Sequence, residues 1–268
     1  MPKLWLILCN YFDGILFPKF CASCHTPLIQ LCKEDDLVKI KKKNEGGQLG
    51  RLFNEKFLCD KCYNAIKLIT SPLCSICGNP FKTQTGPDHI CGHCLKKPPQ
   101  FEWARSLFSY ESTIQALIKE IKYNASGYGL KSLASLSRPL LATRLDKLQN
   151  IDLICPVPIH SSRLRKRGFN QAAMLAYEIF NNHKDKIVPD LLIKYKATPP
   201  QVGLSRKERY LNVSNSFRVS KKIDNKSVLI FDDVLTTGAT ASECAKALKK
   251  QGAKDVFVLT IARSWIAD

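Results

Sequence analysis

The sequence predicts an α/β protein, a parallel sheet with helices on both faces, preceded by a small cysteine-rich metal module. Three observations carry this. Apolar strand-like runs alternate with amphipathic helical stretches from about residue 105 to the end; one of those runs, Val228 to Phe231, leads straight into two acids and a small hydroxyl-rich loop; and four Cys-x-x-Cys pairs crowd the first hundred residues. Alternation of this kind packs helices against both faces of a parallel sheet. With 268 residues, 45% of them hydrophobic, the chain is long enough for a substantial core with a smaller unit beside it.

Met1 to Phe20 is apolar and aromatic, but Asn10, Asp13 and Lys19 interrupt it, so it falls short of the roughly 20 apolar residues of a membrane span. The apolar block Leu4 to Cys9 is brief and no small-residue cleavage pattern follows it, which argues against a secretory signal. The expectation is a cytoplasmic protein whose amino terminus forms an amphipathic helix.

The pairs Cys21/Cys24, Cys59/Cys62, Cys74/Cys77 and Cys91/Cys94 have the spacing of zinc knuckles, and two knuckles complete one closed four-thiolate site. Eight such ligands predict two structural zinc ions. Spacing alone is compatible with a sequential pairing, giving two ribbons in tandem, or with an interleaved one. Cys32 is left unpaired, His25, His89 and His93 read as bystanders, and Lys39 to Gly47 reads as a solvated insertion.

The formal charge is +18, which favours polyanionic partners. Residues 1–100 contribute +6, and eight thiolates with two Zn²⁺ would reduce that to +2; residues 101–268 carry +12. The basic bias therefore lies beyond the stiff Pro98-Pro99 linker, and the expected division is 1–100 and 101–268.

In the second part, Arg105 to Tyr110 reads as a strand, Thr113 to Tyr123 and Lys131 to Leu148 as helices, Ile151 to Cys155 as a strand and Asn170 to Asn181 as a helix. Leu191 to Lys194 and Val228 to Phe231 continue the strands, followed by a helix over Thr240 to Gln251 and a strand over Val256 to Ala262. Asp232 and Asp233 fall at the carboxyl end of a central strand, where open α/β sheets bind ligands; neighbouring acids there can accept hydrogen bonds from vicinal ribose hydroxyls. Thr236, Thr237, Gly238, Ala239 and Thr240 have small side chains that let backbone N–H groups close on a phosphate, with Gly238 adopting unusual backbone angles. Thr240 and Glu243 suggest a capping box.

Two further segments are basic. Pro156-Val-Pro-Ile-His160 leads into Arg163, Arg165, Lys166 and Arg167, a loop suited to pyrophosphate or, alternatively, to nucleic-acid phosphates. Thr198 to Asn212, with Arg206, Lys207 and Arg209, reads as a mobile loop able to close over a ligand.

The 228–240 segment resembles the 5-phosphoribosyl-1-pyrophosphate (PRPP) motif of type I phosphoribosyltransferases. Taken with the four cysteine pairs, Arg167-Gly-Phe-Asn-Gln171, Thr198-Pro-Pro-Gln201 and Gly203-Leu-Ser205 with Arg209 and Asn212, the chain resembles the ComF (ComFC/GntX-like) family of competence-associated phosphoribosyltransferase-like proteins. The resemblance implies a type I phosphoribosyltransferase fold behind a double zinc ribbon. It implies PRPP bound with Mg²⁺, Asp232 and Asp233 on the ribose hydroxyls and Thr236 to Thr240 on the 5-phosphate. It also implies a role in competence and DNA uptake, with single-stranded DNA and a competence helicase as partners. Two functions follow as expectations: a phosphoribosyltransferase of unassigned acceptor, or a non-catalytic DNA-binding adapter in which PRPP is absent or regulatory.

Overall fold

A computed structural model describes residues 20–28, 57–83, 85–142, 150–199 and 203–264. The expected amino-terminal helix, the lysine-rich insertion with Cys32, and Gln201 lie outside these residues.

Two short helices, α1 (Asp60–Asn64) and α2 (Gly92–Lys96), each begin one residue after the first cysteine of a knuckle, Cys59 and Cys91. The sheet then starts with β1 (Trp103–Ser109), followed by α3 (Ser112–Asn124), α4 (Gly127–Ala142), β2 (Leu153–Pro156), α5 (Ser161–Arg167) and α6 (Gln171–Ile179). The chain continues through β3 (Leu192–Lys194), α7 (Arg206–Val213), β4 (Phe217–Val219), β5 (Val228–Leu235), α8 (Ala239–Lys250) and β6 (Val256–Arg263).

The main sheet is wholly parallel in the order β1-β6-β5-β2. Its strands are near-continuous apolar runs because both faces are covered. Leu229 and Phe231 of β5 pack with Ile114, Leu117 and Ile118 of α3, Leu133 of α4 and Leu175 of α6. Val228 and Ile230 face the opposite layer, built from Ala241, Cys244, Ala245 and Leu248 of α8 with Leu192 and Phe217.

Several expectations are corrected. The strand expected to stop at Phe231 runs on to Leu235, because Asp232, Val234 and Leu235 stay in register with Thr260, Ala262 and Arg263 of β6. Leu192–Lys194 does not join the parallel sheet; it pairs antiparallel with Phe217–Val219, a strand the sequence reading passed over. The cationic loop is the helix α5, capped by His160, whose Nδ1 accepts from the Ser162 N–H at 3.2 Å. The expected mobile loop is partly α7, opened by a capping box between Ser205 and Glu208. α8 has Gly238 at its N-cap with φ +79° and no side-chain cap, so Thr240 and Glu243 do not form a capping box; Glu243 Oε2 instead accepts from the Asn215 N–H at 2.9 Å.

The cysteine module packs on β1, which is an edge strand. Ile69 N donates to Leu107 O at 3.0 Å, Ser109 N to Lys67 O at 2.9 Å and Ala104 N to Ile76 O at 2.7 Å. Cys21, Ala22, Leu58 and Cys62 join the same core as Leu107, Phe108 and Ile114. This covers backbone groups that an exposed edge would present to other chains. Gly78 makes the approach feasible: at φ +68° its missing Cβ would lie 2.4 Å from Ala104 O. Gly78→Ala combines a left-handed backbone with that clash, so it should destabilise the protein by about 2 kcal/mol or more in thermal or denaturant unfolding.

Candidate functional site

The cysteine pairs meet sequentially. Cys21, Cys24, Cys59 and Cys62 form one cluster, Cys74, Cys77, Cys91 and Cys94 the other, with all Sγ atoms of a cluster within 4.8 Å of one another. The Cys24–Cys59 and Cys77–Cys91 sulfur separations are 3.7 and 3.8 Å, close to the edge of a tetrahedron whose Zn–S bonds are about 2.3 Å. Both clusters therefore fit structural zinc. The thiols also compete for protons. Hydrogen bonds from Cys77 and Cys94, with those from the Cys77 and Cys91 N–H groups, hold Cys74 far below the ordinary thiol range, and the same bonding pushes Cys94 far above it. In the other cluster, hydrogen bonding to Thr26 lowers Cys24 to about 6, while burial raises Cys62 to about 12. A dication that displaces these protons turns four mismatched thiols into four equivalent ligands. Of the nearby histidines, His25 reaches Glu120 Oε1 at 3.6 Å and His89 stacks on Phe81 at 3.8 Å.

The second cluster is bound to the end of the sheet. Arg263, the last residue of β6 and 5% exposed, donates through Nη1 to Cys77 O at 2.7 Å and through Nε to Asn79 Oδ1 at 3.1 Å, with Nη2 3.8 Å from Cys77 Sγ. Burial lowers the guanidinium pKa, and the charges of Cys77 and Cys74 oppose that shift.

Asp232 and Asp233 sit inside β5, where consecutive side chains project to opposite faces. On one face Lys122 of α3 reaches Asp233 Oδ2 at 2.8 Å, with both side chains largely buried. Burial alone would lower Lys122; the charge and hydrogen bond of Asp233 outweigh it, and the lysine lies above its ordinary value. On the other face Asp232 is near Lys194 and Cys244. Burial first, then repulsion from Asp233, raises Asp232 to about 8, while its Oδ1 accepts from the Asp233 N–H at 2.8 Å.

After β5 the chain turns through Thr236, Thr237 and Gly238 into α8. Thr237 Oγ1 accepts from the Ala239 N–H at 3.3 Å, and the N–H groups of Thr236, Thr237 and Gly238 make no hydrogen bond among the described residues. Three donors thus open together at a helix N-terminus, an arrangement that suits an anion. Ala239 and Thr240 supply the first turn of α8. The cations come from the neighbouring strand: β2 pairs with β5 through Pro156 and Phe231, and α5 follows after four intervening residues. Arg163 lies near Lys194 and donates to Thr198 O at 2.9 Å, and Arg167 donates to Gln171 Oε1. Arg163 and Arg167 share one helix face; Arg165 lies on the other.

Sequence reasoning missed Lys122, Lys194 and Arg263. Lys122 had a signal, since it continues the Ile114, Ile118 stripe of α3 one turn on. Arg263 directly ends a buried strand, a position where a charge needs a partner.

A double zinc ribbon domain family matches residues 50–95. DNA utilization protein YhgH of Salmonella typhimurium is 32% identical over 209 residues, covering 77% of this chain and 90% of that protein. Competence protein F of Haemophilus influenzae is 32% identical over 212 residues, with the same coverage. The chain belongs to the competence protein F family. This ComF-family protein also shares structural features with a hypoxanthine phosphoribosyltransferase from Staphylococcus aureus, at 18% identity and TM-score 0.30 over 49% of this chain and 61% of that one. Among the described residues, no helix of this ComF-family member is long and apolar enough to cross a membrane.

Two measurements check the site. Elemental analysis of protein purified without chelator should find about two zinc ions per chain; Cys94→Ser should retain about one and melt several degrees lower. For Asp232 the sign follows from its raised pKa. The folded state binds a proton that the unfolded state releases above its ordinary value of 3.8. Stability should therefore fall as pH rises from about 5 to about 8 and level off above, and Asp232→Asn should flatten that slope in pH-dependent denaturant melts.

Proposed function

We propose that the Asp232–Thr240 segment binds PRPP together with Mg²⁺, in a protein that takes part in the handling of single-stranded DNA. One observation carries the reading: β5 brings Asp232, on the face away from the Lys122–Asp233 pair, to a loop of three N–H donors, beside the cation-rich helix that follows the adjacent strand. The names of the relatives, DNA utilization protein and competence protein F, link the family to DNA.

The donor set fits magnesium. Mg²⁺ favours oxygen ligands and takes one or two carboxylates alongside substrate phosphates and water, and Asp232 would be the carboxylate to hold it, since Asp233 is engaged by Lys122. When bound, the ion supplies charge neutralisation at the pyrophosphate. Asp232, once ionised, accepts a hydrogen bond from a ribose hydroxyl. The N–H groups of Thr236, Thr237 and Gly238 take the 5-phosphate oxygens. Arg163 and Arg167 on one face of α5, and Arg165 on the other, would offer planar donors to the pyrophosphate, the group that would leave ribose C1 in a transfer reaction. The zinc ribbons are structural in this scheme, because four-thiolate sites leave no position for water.

Calorimetric titration with PRPP and Mg²⁺ tests the reading. The parent protein should bind, more tightly as pH rises through about 8 and Asp232 loses its proton. Changing Asp232 and Asp233 together to Asn should weaken binding about tenfold or more, and Arg163→Ala with Arg165→Ala should weaken it by a similar factor. Unaltered affinity in the doubly substituted protein would refute the assigned roles. A parent protein that ignores PRPP would leave the adapter reading standing.

A further inference from the structure

The two cysteine clusters share a ligand set and differ in what surrounds it. Each buries two of its thiols, but in the first cluster the remaining pair is Cys24, which is exposed, and Cys59, which is half-buried; in the second, Cys77 and Cys91 are both half-buried. The first cluster is the more open to solvent. Its polar neighbours are neutral hydroxyls: Cys24 Sγ lies 3.2 Å from Thr26 Oγ1, and Cys62 O accepts from Thr113 Oγ1 at 2.8 Å. Among the described residues, no lysine or arginine side chain donates to any of these four cysteines.

The second cluster is gripped from the sheet by two cations. Arg263 of β6 holds the Cys77 carbonyl and Asn79, with a third nitrogen near Cys77 Sγ. Arg105 comes from the adjoining strand β1; its Nη1 donates to Ser75 O at 3.1 Å and reaches Cys74 O at 3.5 Å. Both cysteines of this knuckle therefore have a guanidinium on their backbone, and the charges of Cys74 and Cys77 are felt at both arginines. Backbone donors add to the set, since Cys74 Sγ accepts from the N–H groups of Cys77 at 3.5 Å and Cys91 at 3.3 Å. Four thiolates around one dication leave two negative charges. Two guanidiniums offset them, and partners in this outer layer change metal affinity by about ten- to a hundredfold.

We propose that Arg105 and Arg263 are positioning residues that lock zinc into the second cluster, so that the first cluster is the exchangeable site, the one that gives up its metal to a competing ligand. Substitution at a closed site begins where a thiolate is accessible and weakly neutralised, and Cys24 meets both conditions. The inference rests on the fit of both clusters to zinc and is independent of what Asp232 binds.

Zinc release from the zinc-loaded full-length protein into excess pyridylazoresorcinol, with pulses of N-ethylmaleimide and peptide mass spectrometry to show which thiols are freed, tests it. The parent should lose its zinc in two phases of equal amplitude, Cys24 and Cys59 becoming alkylated in the fast phase and Cys77 and Cys91 in the slow one. Arg263→Gln should speed the slow phase about tenfold and leave the fast phase within about twofold. Arg105→Gln should act in the same direction, and Arg263→Lys, which keeps the charge, should restore most of the delay. A variant that merely loosens the whole fold would speed both phases, so the first cluster serves as the control inside each molecule. Should Arg263→Gln fail to fold, Arg105→Gln and the order of alkylation in the parent still decide the matter. A parent that purifies with a single zinc must hold it in the second cluster. Release from both clusters in one phase, earlier alkylation of Cys77 and Cys91, a lone zinc in the first cluster, or a slow phase unchanged in the folded Gln variants overturns the proposal.

Discussion

The guanidinium of Arg263 is the constraint around which the two parts of the molecule are arranged. A buried cation is tolerated only beside an anion or a full set of acceptors. Among the described residues, Arg263 finds these in the carbonyl and sulfur of Cys77 and in Asn79. Four thiolates around one Zn²⁺ carry a net negative charge, so a metal-loaded knuckle is the counter-ion that the end of β6 requires. The sheet and the second ribbon are therefore coupled electrostatically as well as through backbone hydrogen bonds at β1.

Much of this could be read from the residue order. The cysteine spacing announced two closed sites, and the apolar runs announced β2, β5 and β6, because strands buried on both faces have little freedom in composition. The Asp232–Thr240 segment also stood out, since paired acids running into a hydroxyl-rich loop are not a core pattern. Other features were hidden for physical reasons. β5 extends through its acids because backbone pairing with β6 continues regardless of side-chain polarity, and no sequence pattern records that partner. Cations at 163–167 look like a solvated loop, yet helix formation there is decided by the His160 cap and by Gly168 at φ +84°. β3 and β4 are three residues each, too short for a period to register. Lys122 and Arg263 are meaningful only through partners 111 and 186 positions away.

The two neighbouring acids have become unequal. Asp233 is held by Lys122 on one face of the sheet, while Asp232, raised by burial and by its neighbour's charge, keeps a proton near neutrality. Two adjacent carboxylates in a dry setting resist double ionisation, and the structure resolves the conflict by giving one a fixed counter-ion and the other a proton. A cationic ligand arriving at Asp232 therefore exchanges with that proton, so binding and proton release are linked.

The hydrogen bonds that Ile69, Lys67 and Ile76 make along β1 have a bearing on quality control. They occupy the outer edge of the parallel sheet, which would otherwise present the N–H groups of Ala104 and Ser109 and the carbonyl of Leu107 as a template for another strand. A ribbon that loses its metal and unfolds would uncover that edge at the same moment as it frees its thiols. The damage from zinc starvation would then be contagious: one demetallated chain could recruit the next by strand addition and cross-link to it through cysteine.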